Sequence, residues 1–319
     1  MKPLLSLIIP AHNNEAQLER LIASLKKSKG APPHEIIIVD DGSAKPIRAA
    51  TLRLKTNKGP AVARNRGAAA AKGKFLVFLD ADVEVFSDTL REIEKLFVSD
   101  PDVVALTGVW VKEQRSHDFF PNFKALRDWS YWINERDQSG YYFLFSTRIA
   151  AIKRSVFMRL GGFDETYPAP LVEDIELTYR IARRYAIIFA PLVRVRHEFE
   201  GFWPIAKKYF LRAYYWTKLY ASRKKFDPVA TTMQEAITAL SGVAVVLAAP
   251  VALFYPLVFA GFVLLHAWLV RRFLVFAYAE RGLRFALASF GTGLVLYCFI
   301  FAGAALGKVS VMVRKNLLP

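Results

Sequence analysis

The sequence predicts an α/β fold, a parallel sheet interleaved with helices, followed by an apolar α-helical region. Three observations carry this prediction. Short apolar runs alternate with segments of helical period over residues 4–79. The first three of those runs stop abruptly on Pro10, on Asp40-Asp41 and on Asp80. Uncharged length gathers at one end, where residues 236–270 run for 35 positions and residues 285–307 for 23 without Asp, Glu, Lys or Arg. Strand–helix alternation in short units gives a parallel sheet with functional residues at the carboxyl ends of its strands. Uncharged runs of that length suit a membrane, since about 20 apolar residues cross the roughly 30 Å hydrocarbon core.

Taken in order, residues 4–9 read as a buried strand ended by Pro10, and residues 15–27 place Leu18, Leu21, Ile22 and Leu25 at helical spacing. Residues 35–39 form the second strand, which ends in "DDGS", a strand-to-loop turn in which Gly42 supplies positive φ. Residues 61–71 are Ala-rich and helical, and the strand over residues 75–79 ends on Asp80. Residues 103–112 and 142–152 read as strands, with a helical aromatic and charged segment, "FFPNFKALRDWSYWINERD", between them. "VEDIELTYRIARR" is a helix opening on acids, as the N-terminal dipole favours, and "AIIFAPLVRVRH" is a further strand. Residues 203–220 mix aromatics with Lys and Arg, as in a helix lying in a membrane interface.

One 35-residue helix would be about 52 Å long. The apolar region therefore divides at Pro250, Tyr255 and Pro256, giving expected spans at residues 236–254, 256–270 and 285–307. Three spans leave Lys308, Arg314 and Lys315 outside, against the positive-inside pattern, so two spans is the alternative. The net charge of +16 is explained by the membrane rather than by nucleic acid, because Lys207, Lys208, Arg212, Lys218, Arg223, Lys224 and Lys225 lie just before the first apolar run. Cys298 is the single cysteine, which excludes an intrachain disulfide and a Cys-based zinc site. The start of the chain lacks the apolar core of a signal peptide, so the first part is expected in the cytoplasm and the chain in the plasma (inner) membrane.

Asp80-Ala81-Asp82 ends a buried strand with two carboxylates one residue apart, able to face one hard cation as divalent ions with nucleotide diphosphates are bound. Alone that pattern is weak. In company it is specific: "PAHNNE", "VDDGS", "NKGPAVARNRG", "LDADV", "GGFDE" and "VED" occur in this order over residues 4–216. The set resembles the family 2 nucleotide-diphospho-sugar glycosyltransferases, inverting enzymes of the GT-A fold.

That resemblance implies the following roles. Pro10, His12, Asn13 and Glu15 line the base and ribose pocket, and Asp40 and Asp41 hold the base and the ribose side. His12 stands where many relatives carry Tyr. Asn57, Gly59, Arg64 and Asn65 pass over the diphosphate, with Arg64 offering a planar fork to phosphate oxygens. Asp80 serves the ribose and the metal, Asp82 is the direct ligand of Mg²⁺ or Mn²⁺, and His197 reaches the diphosphate or metal. Gly161 and Gly162 belong to a loop near the sugar. Of the acidic pair Glu173-Asp174, the second member is the base that deprotonates the acceptor.

The Gln-x-x-Arg-Trp motif of processive synthases has no counterpart in "KKYFLRAYYW", which favours transfer of a single sugar over polymer synthesis. A catalytic domain over residues 1–200, an interfacial helix and linker over 201–230 and a transmembrane region over 231–319 are expected. The expected partners are a UDP- or GDP-sugar donor, a membrane lipid or lipid-linked acceptor and the membrane itself, with no nucleic acid. A processive polysaccharide synthase and a non-catalytic membrane scaffold that kept the fold are the rival readings.

Overall fold

The computed structural model describes residues 2–136, 141–167, 171–226 and 232–316. It divides into two compact units, one of Met1–Arg115 with Asp137–Glu198 and one of Ser116–Arg136 with Phe199–Pro319.

The first unit is built on an eight-stranded sheet. Its strands are β1 (Leu5–Ala11), β2 (His34–Asp40), β3 (Leu52–Arg53), β4 (Phe75–Leu79), β5 (Val83–Val85), β6 (Ala105–Trp110), β7 (Ile149–Lys153) and β8 (Ile187–His197). Their spatial order is β3-β2-β1-β4-β7-β6-β8-β5. β1 and β4 sit at the centre because their runs are apolar on both faces, and every residue of β4 is buried. Helices α1 (Glu15–Lys26), α2 (Pro60–Ala70) and α3 (Thr89–Ser99) connect the early strands. α2 lies close to the sheet because Gly67 has no side chain; a Cβ there would sit 2.6 Å from Ile8 Cγ2. After α5 (Arg154–Arg159), α6 (Glu173–Ala182) begins on the acidic pair.

The sheet is mixed, not purely parallel. β3, β2, β1 and β4 run parallel, but β7 is antiparallel to both β4 and β6, and β5 is antiparallel to β8. The strand expected over residues 142–152 shortens to β7, and Tyr142 contributes only an isolated bridge to Ile187.

The second unit joins α4 (Phe119–Ile133) from the middle of the chain to α7 (Phe202–Arg223), α8 (Met233–Ala248), a 3₁₀ turn (Ala249–Leu253), α9 (Pro256–Leu269) and α10 (Arg271–Asn316). Its core gathers Phe123, Leu126, Ala206, Phe273, Ala277 and Leu296. α8 opens on a capping box, in which the Glu235 N–H donates to Thr232 Oγ1 and the Thr232 N–H donates to Glu235 Oε2. α10 bends at Gly282, whose φ of 80° and ψ of 178° interrupt the helix. Beyond the bend α10 lies against α7 at Gly303 and Gly307, where a Cβ would meet the carbonyl oxygens of Phe210 and Tyr214 at 2.1 and 2.6 Å.

Among the described residues, two helices are long and apolar enough to cross a membrane by length and composition, Met233–Leu253 and Arg271–Val313. α9 has 14 residues, about 21 Å of helix, short of the roughly 30 Å hydrocarbon core.

Candidate active site

The polar motifs gather at the carboxyl ends of β1, β2 and β4, at the junction of β5 with β8, and at the first turn of α6. β1 and β2 pair with Ala11 opposite Asp40, so "PAHNNE" and "DDGS" leave the sheet side by side. His12 donates from Nδ1 to the Asp41 carbonyl at 2.9 Å, and its Nε2 lies 2.9 Å from Asn13 Nδ2. Asn13, at φ 52°, accepts the Ala44 N–H on Oδ1 and donates its own N–H to Ser43 Oγ. Glu15 is exposed, and its Oε1 accepts the Arg48 N–H at 3.4 Å. Pro10 is half-buried at the end of β1.

Asp40 and Asp41 shape loops. Asp40 is fully buried; Oδ1 accepts the Ser43 N–H at 2.8 Å, Oδ2 accepts the Ile47 N–H at 3.2 Å, and Arg53 pairs with it at 3.3 Å. Burial works to raise its pKa, but the Ser43 and Ile47 hydrogen bonds and the Arg53 cation outweigh it and hold the carboxyl below its ordinary value. Asp41 accepts the Lys58 and Gly59 N–H groups on its two oxygens, each at 2.8 Å. For Asp41 burial prevails over those bonds, and the carboxyl is pushed up. The same Gly59 N–H also reaches Asn57 Oδ1 at 3.0 Å, so Asn57, Gly59 and Asp41 together build the entry to α2. Gly59 caps that helix at φ 92°, and Pro60 follows at its first position.

Arg64, one turn into α2, is 2% exposed. It donates from Nη2 to Asp80 Oδ1 at 2.7 Å and from Nη1 to Glu173 Oε1 at 2.9 Å, so its fork lies on carboxylates of β4 and α6. Burial alone would lower its pKa; the two carboxylates reverse the direction and keep the guanidinium charged. Glu173 is buried, with its second oxygen accepting the Leu171 N–H at 2.8 Å. Asp174, next in the chain, is half-buried, and its Oδ1 accepts the Ile175 N–H at 2.8 Å. Asp80 is 28% exposed.

Asp82 and His197 meet because β5 pairs antiparallel with β8, with Val83 opposite His197. Asp82 directly precedes that register position, and its Oδ2 lies 3.4 Å from His197 Nε2. His197 is 11% exposed at its side chain, Asp82 44%. Among the described residues, no group of three or more His, Cys, Asp or Glu side chains is gathered to hold a metal by itself.

Sequence reasoning gave no role to Ser43 or Arg53, which hold the loops after β1 and β2 through Asn13 and Asp40. The distance of Arg53 from "DDGS" in sequence left no local signal for its pairing.

Residues 6–161 match the family model described as glycosyl transferase family 2. A pre-mycofactocin glycosyltransferase of Mycobacterium tuberculosis is 30% identical over 209 residues, which cover 60% of this chain and 42% of that protein. A validoxylamine A glucosyltransferase of Streptomyces hygroscopicus subsp. limoneus is 27% identical over 216 residues, covering 56% of this chain and 48% of that one. The chain thus spans less than half the length of these two curated relatives. A mannosyltransferase from Pyrobaculum calidifontis, solved with GDP-Man and Mn²⁺, shares the fold at a TM-score of 0.57 and 20% identity, over 96% of this chain and 87% of that one. Residues 6–161 are thus similar to the glycosyltransferase family 2 domain, and the chain has the fold of the mannosyltransferase.

Proposed function

We propose that the protein is an inverting glycosyltransferase that moves one sugar from a UDP- or GDP-sugar to a lipid or lipid-linked acceptor at a membrane. The observation that supports it best is the placing of Asp80 and Glu173 on one guanidinium, at 2.7 and 2.9 Å, which brings the donor-side strand end and the start of the acceptor-side helix within one side chain's reach.

In this reading the rim formed by the half-buried Pro10 and His12 and the exposed Asn13, Glu15 and Asn57 receives the nucleoside, over a floor shaped by Asp40, Asp41 and Gly59. Asp80 keeps its Oδ2 for the ribose side of the donor. Asp82 and His197 offer one carboxylate and one imidazole nitrogen. That is too few for a closed site and suits a Mg²⁺ or Mn²⁺ ion whose other positions come from a diphosphate and water. Such an ion supplies charge neutralisation to a departing diphosphate. Asp174 takes the proton of an acceptor hydroxyl as its oxygen attacks the anomeric carbon. A phosphate acceptor, already ionised, needs little such help.

The apolar helices of the second unit embed in the membrane, and the Lys and Arg side chains of α7 put the catalytic unit on the cytoplasmic face. The experiment is a transfer assay on the purified full chain, with labelled UDP- and GDP-sugars, Mn²⁺ or Mg²⁺ and nanodiscs of membrane lipid extract. A labelled lipid carrying one sugar is the expected product. No metal-dependent consumption of any nucleotide sugar would refute the enzymatic reading in favour of a scaffold, and a labelled polymer would favour a processive synthase.

A further inference from the structure

Arg64 and Asn65 are adjacent on α2, yet both turn towards elements contributed by a distant part of the chain. Arg64 holds Asp80 and Glu173, 16 and 109 residues away, and its guanidinium lies 5.4 Å from the centre of the Phe163 ring. Asn65 closes on the backbone of the same Phe163: its Oδ1 accepts the Phe163 N–H at 2.9 Å, and its Nδ2 donates to the Phe163 carbonyl and to Glu165 Oε1, each at 2.9 Å. This approach requires the glycine before it, since a Cβ on Gly162 would stand 2.5 Å from Asn65 Oδ1. Two neighbouring side chains thus fix the "GGFDE" loop and the first turn of α6 to the strand end that carries Asp80.

The burial of Arg64 argues for the same division of labour. A guanidinium that grips a diphosphate must present its N–H groups to the donor, whereas Arg64 exposes 2% of its surface and gives one N–H of each terminal nitrogen to a carboxylate. Among the described residues its Nε–H is buried without a partner. Because Asp80 meets Arg64 through Oδ1 alone, Oδ2 stays available while its direction is set. Because Glu173 is held at Oε1, the next residue, Asp174, starts α6 from a fixed point.

We infer that Arg64 and Asn65 form a positioning pair which sets the acceptor-side loop and the Asp174 helix against the donor-side Asp80, and that neither side chain binds the diphosphate. The inference rests on the glycosyltransferase reading for its effect on turnover, but not for its effect on the loop. Arg64 acts on both sides of the site and Asn65 on the acceptor side alone.

The test uses the full chain with Asn65→Ala, Arg64→Lys and Arg64→Met. Three quantities are measured: UDP, UMP, GDP and GMP affinities with Mn²⁺ by calorimetry, transfer to nanodisc lipid, and amide exchange at Phe163. Loss of alignment alone typically lowers turnover by roughly 10- to 100-fold, so Asn65→Ala should do this while nucleotide affinity stays within about twofold. Exchange at Phe163 should rise by at least about tenfold as its N–H loses its acceptor. Arg64→Lys should retain more turnover than Arg64→Met, and neither should change the ratio of diphosphate to monophosphate affinity by more than about twofold.

A selective loss of about tenfold or more in diphosphate affinity for Arg64→Lys would make Arg64 a phosphate ligand and overturn the inference. Wild-type turnover or wild-type exchange at Phe163 in Asn65→Ala would overturn it equally. If the unmutated chain binds no nucleotide, the glycosyltransferase reading fails, and exchange at Phe163 still decides whether Asn65 holds the loop.

Discussion

Replacing Glu173 by alanine removes one of the two anions that hold Arg64. The perturbation is severe because the pair is dry: the Arg64 side chain is 2% exposed and that of Glu173 3%. Arg64 stays ionised, since Asp80 remains, so the protein buries a cation with one partner where it had two. Breaking a buried pair from one side destabilises by about 3 to 5 kcal/mol, and the Leu171 N–H loses its acceptor as well. For a unit of this size each kcal/mol moves the melting temperature by about 2 to 4 °C, so a fall of roughly 6 to 20 °C is expected. Calorimetry of the detergent-solubilised chain measures it. The double variant Arg64→Met, Glu173→Ala should lose clearly less than the sum of the single losses, because it strands no charge. A shift under about 2 °C for Glu173→Ala, or strict additivity in the double variant, would refute the reasoning.

Three further outcomes are expected. Asp82→Asn should keep the fold and lose metal-dependent turnover, because an amide oxygen is a weaker ligand than a carboxylate for a hard dication; wild-type activity at limiting Mn²⁺ would remove Asp82 from the metal site. Asp40 and Asp41 should respond oppositely to acid. The depressed Asp40 contributes stability that is full above its ordinary value of 3.8 and is lost as the pH falls through its lowered value. The raised Asp41 contributes stability that is full below 3.8 and is lost as the pH rises through its raised value. Melting curves between about pH 6 and pH 3 should therefore be less acid-sensitive than wild type in Asp40→Asn and more so in Asp41→Asn. Gly42→Ala should destabilise by at least about 1 to 3 kcal/mol, since φ is +69° and the new Cβ would meet the Thr56 carbonyl carbon at 2.4 Å and Asn57 N at 2.5 Å; an unchanged melting temperature would contradict this.

How far the sequence foretold the structure depended on the range of the forces involved. β1, β2 and β4 were legible because each is a mostly apolar run, although β1 continues through Pro10 to Ala11 and β2 takes in Asp40, so the expected stops fall one residue early. Gly42 was legible for a local reason too, as its positive φ is a property of the turn. α3, with Leu90, Ile93 and Phe97 at helical spacing, carries the same kind of signal. The reversal of β7 was not legible: periodicity reports which faces a strand buries and is silent on its direction. The aromatic residues before β7 read as strand, yet they meet β8 as an isolated bridge at Tyr142, with the Phe143 N–H donating to the Ile187 carbonyl, and not as a continuation of β7. At the site, the motifs marked stretches of chain that the fold brings together, but the pairing of Arg64 with Glu173 left no local signal because the two lie 109 residues apart.

The chain leaves the α/β unit at Ser116 and re-enters it at Asp137, so α4 is an excursion completed long before its partners exist. Phe123 packs on Phe273, about 150 residues further on. At about 5 to 20 residues per second, a ribosome needs roughly 8 to 30 s to supply that partner. Until α7 brings Phe202 and Ala206, the apolar face of α4, with Phe123 and Leu126, has no helical neighbour from the C-terminal part of the chain, and until α10 follows it still lacks Phe273, Ala277 and Leu296. The newborn chain must meanwhile keep that face from aggregating, with the bilayer or a chaperone covering it. For the same reason no single cut separates the two units. Truncation soon after residue 200 keeps the polar motifs of residues 10–197 yet removes Phe273, Ala277 and Leu296, which share a core with Phe123 and Leu126 of α4.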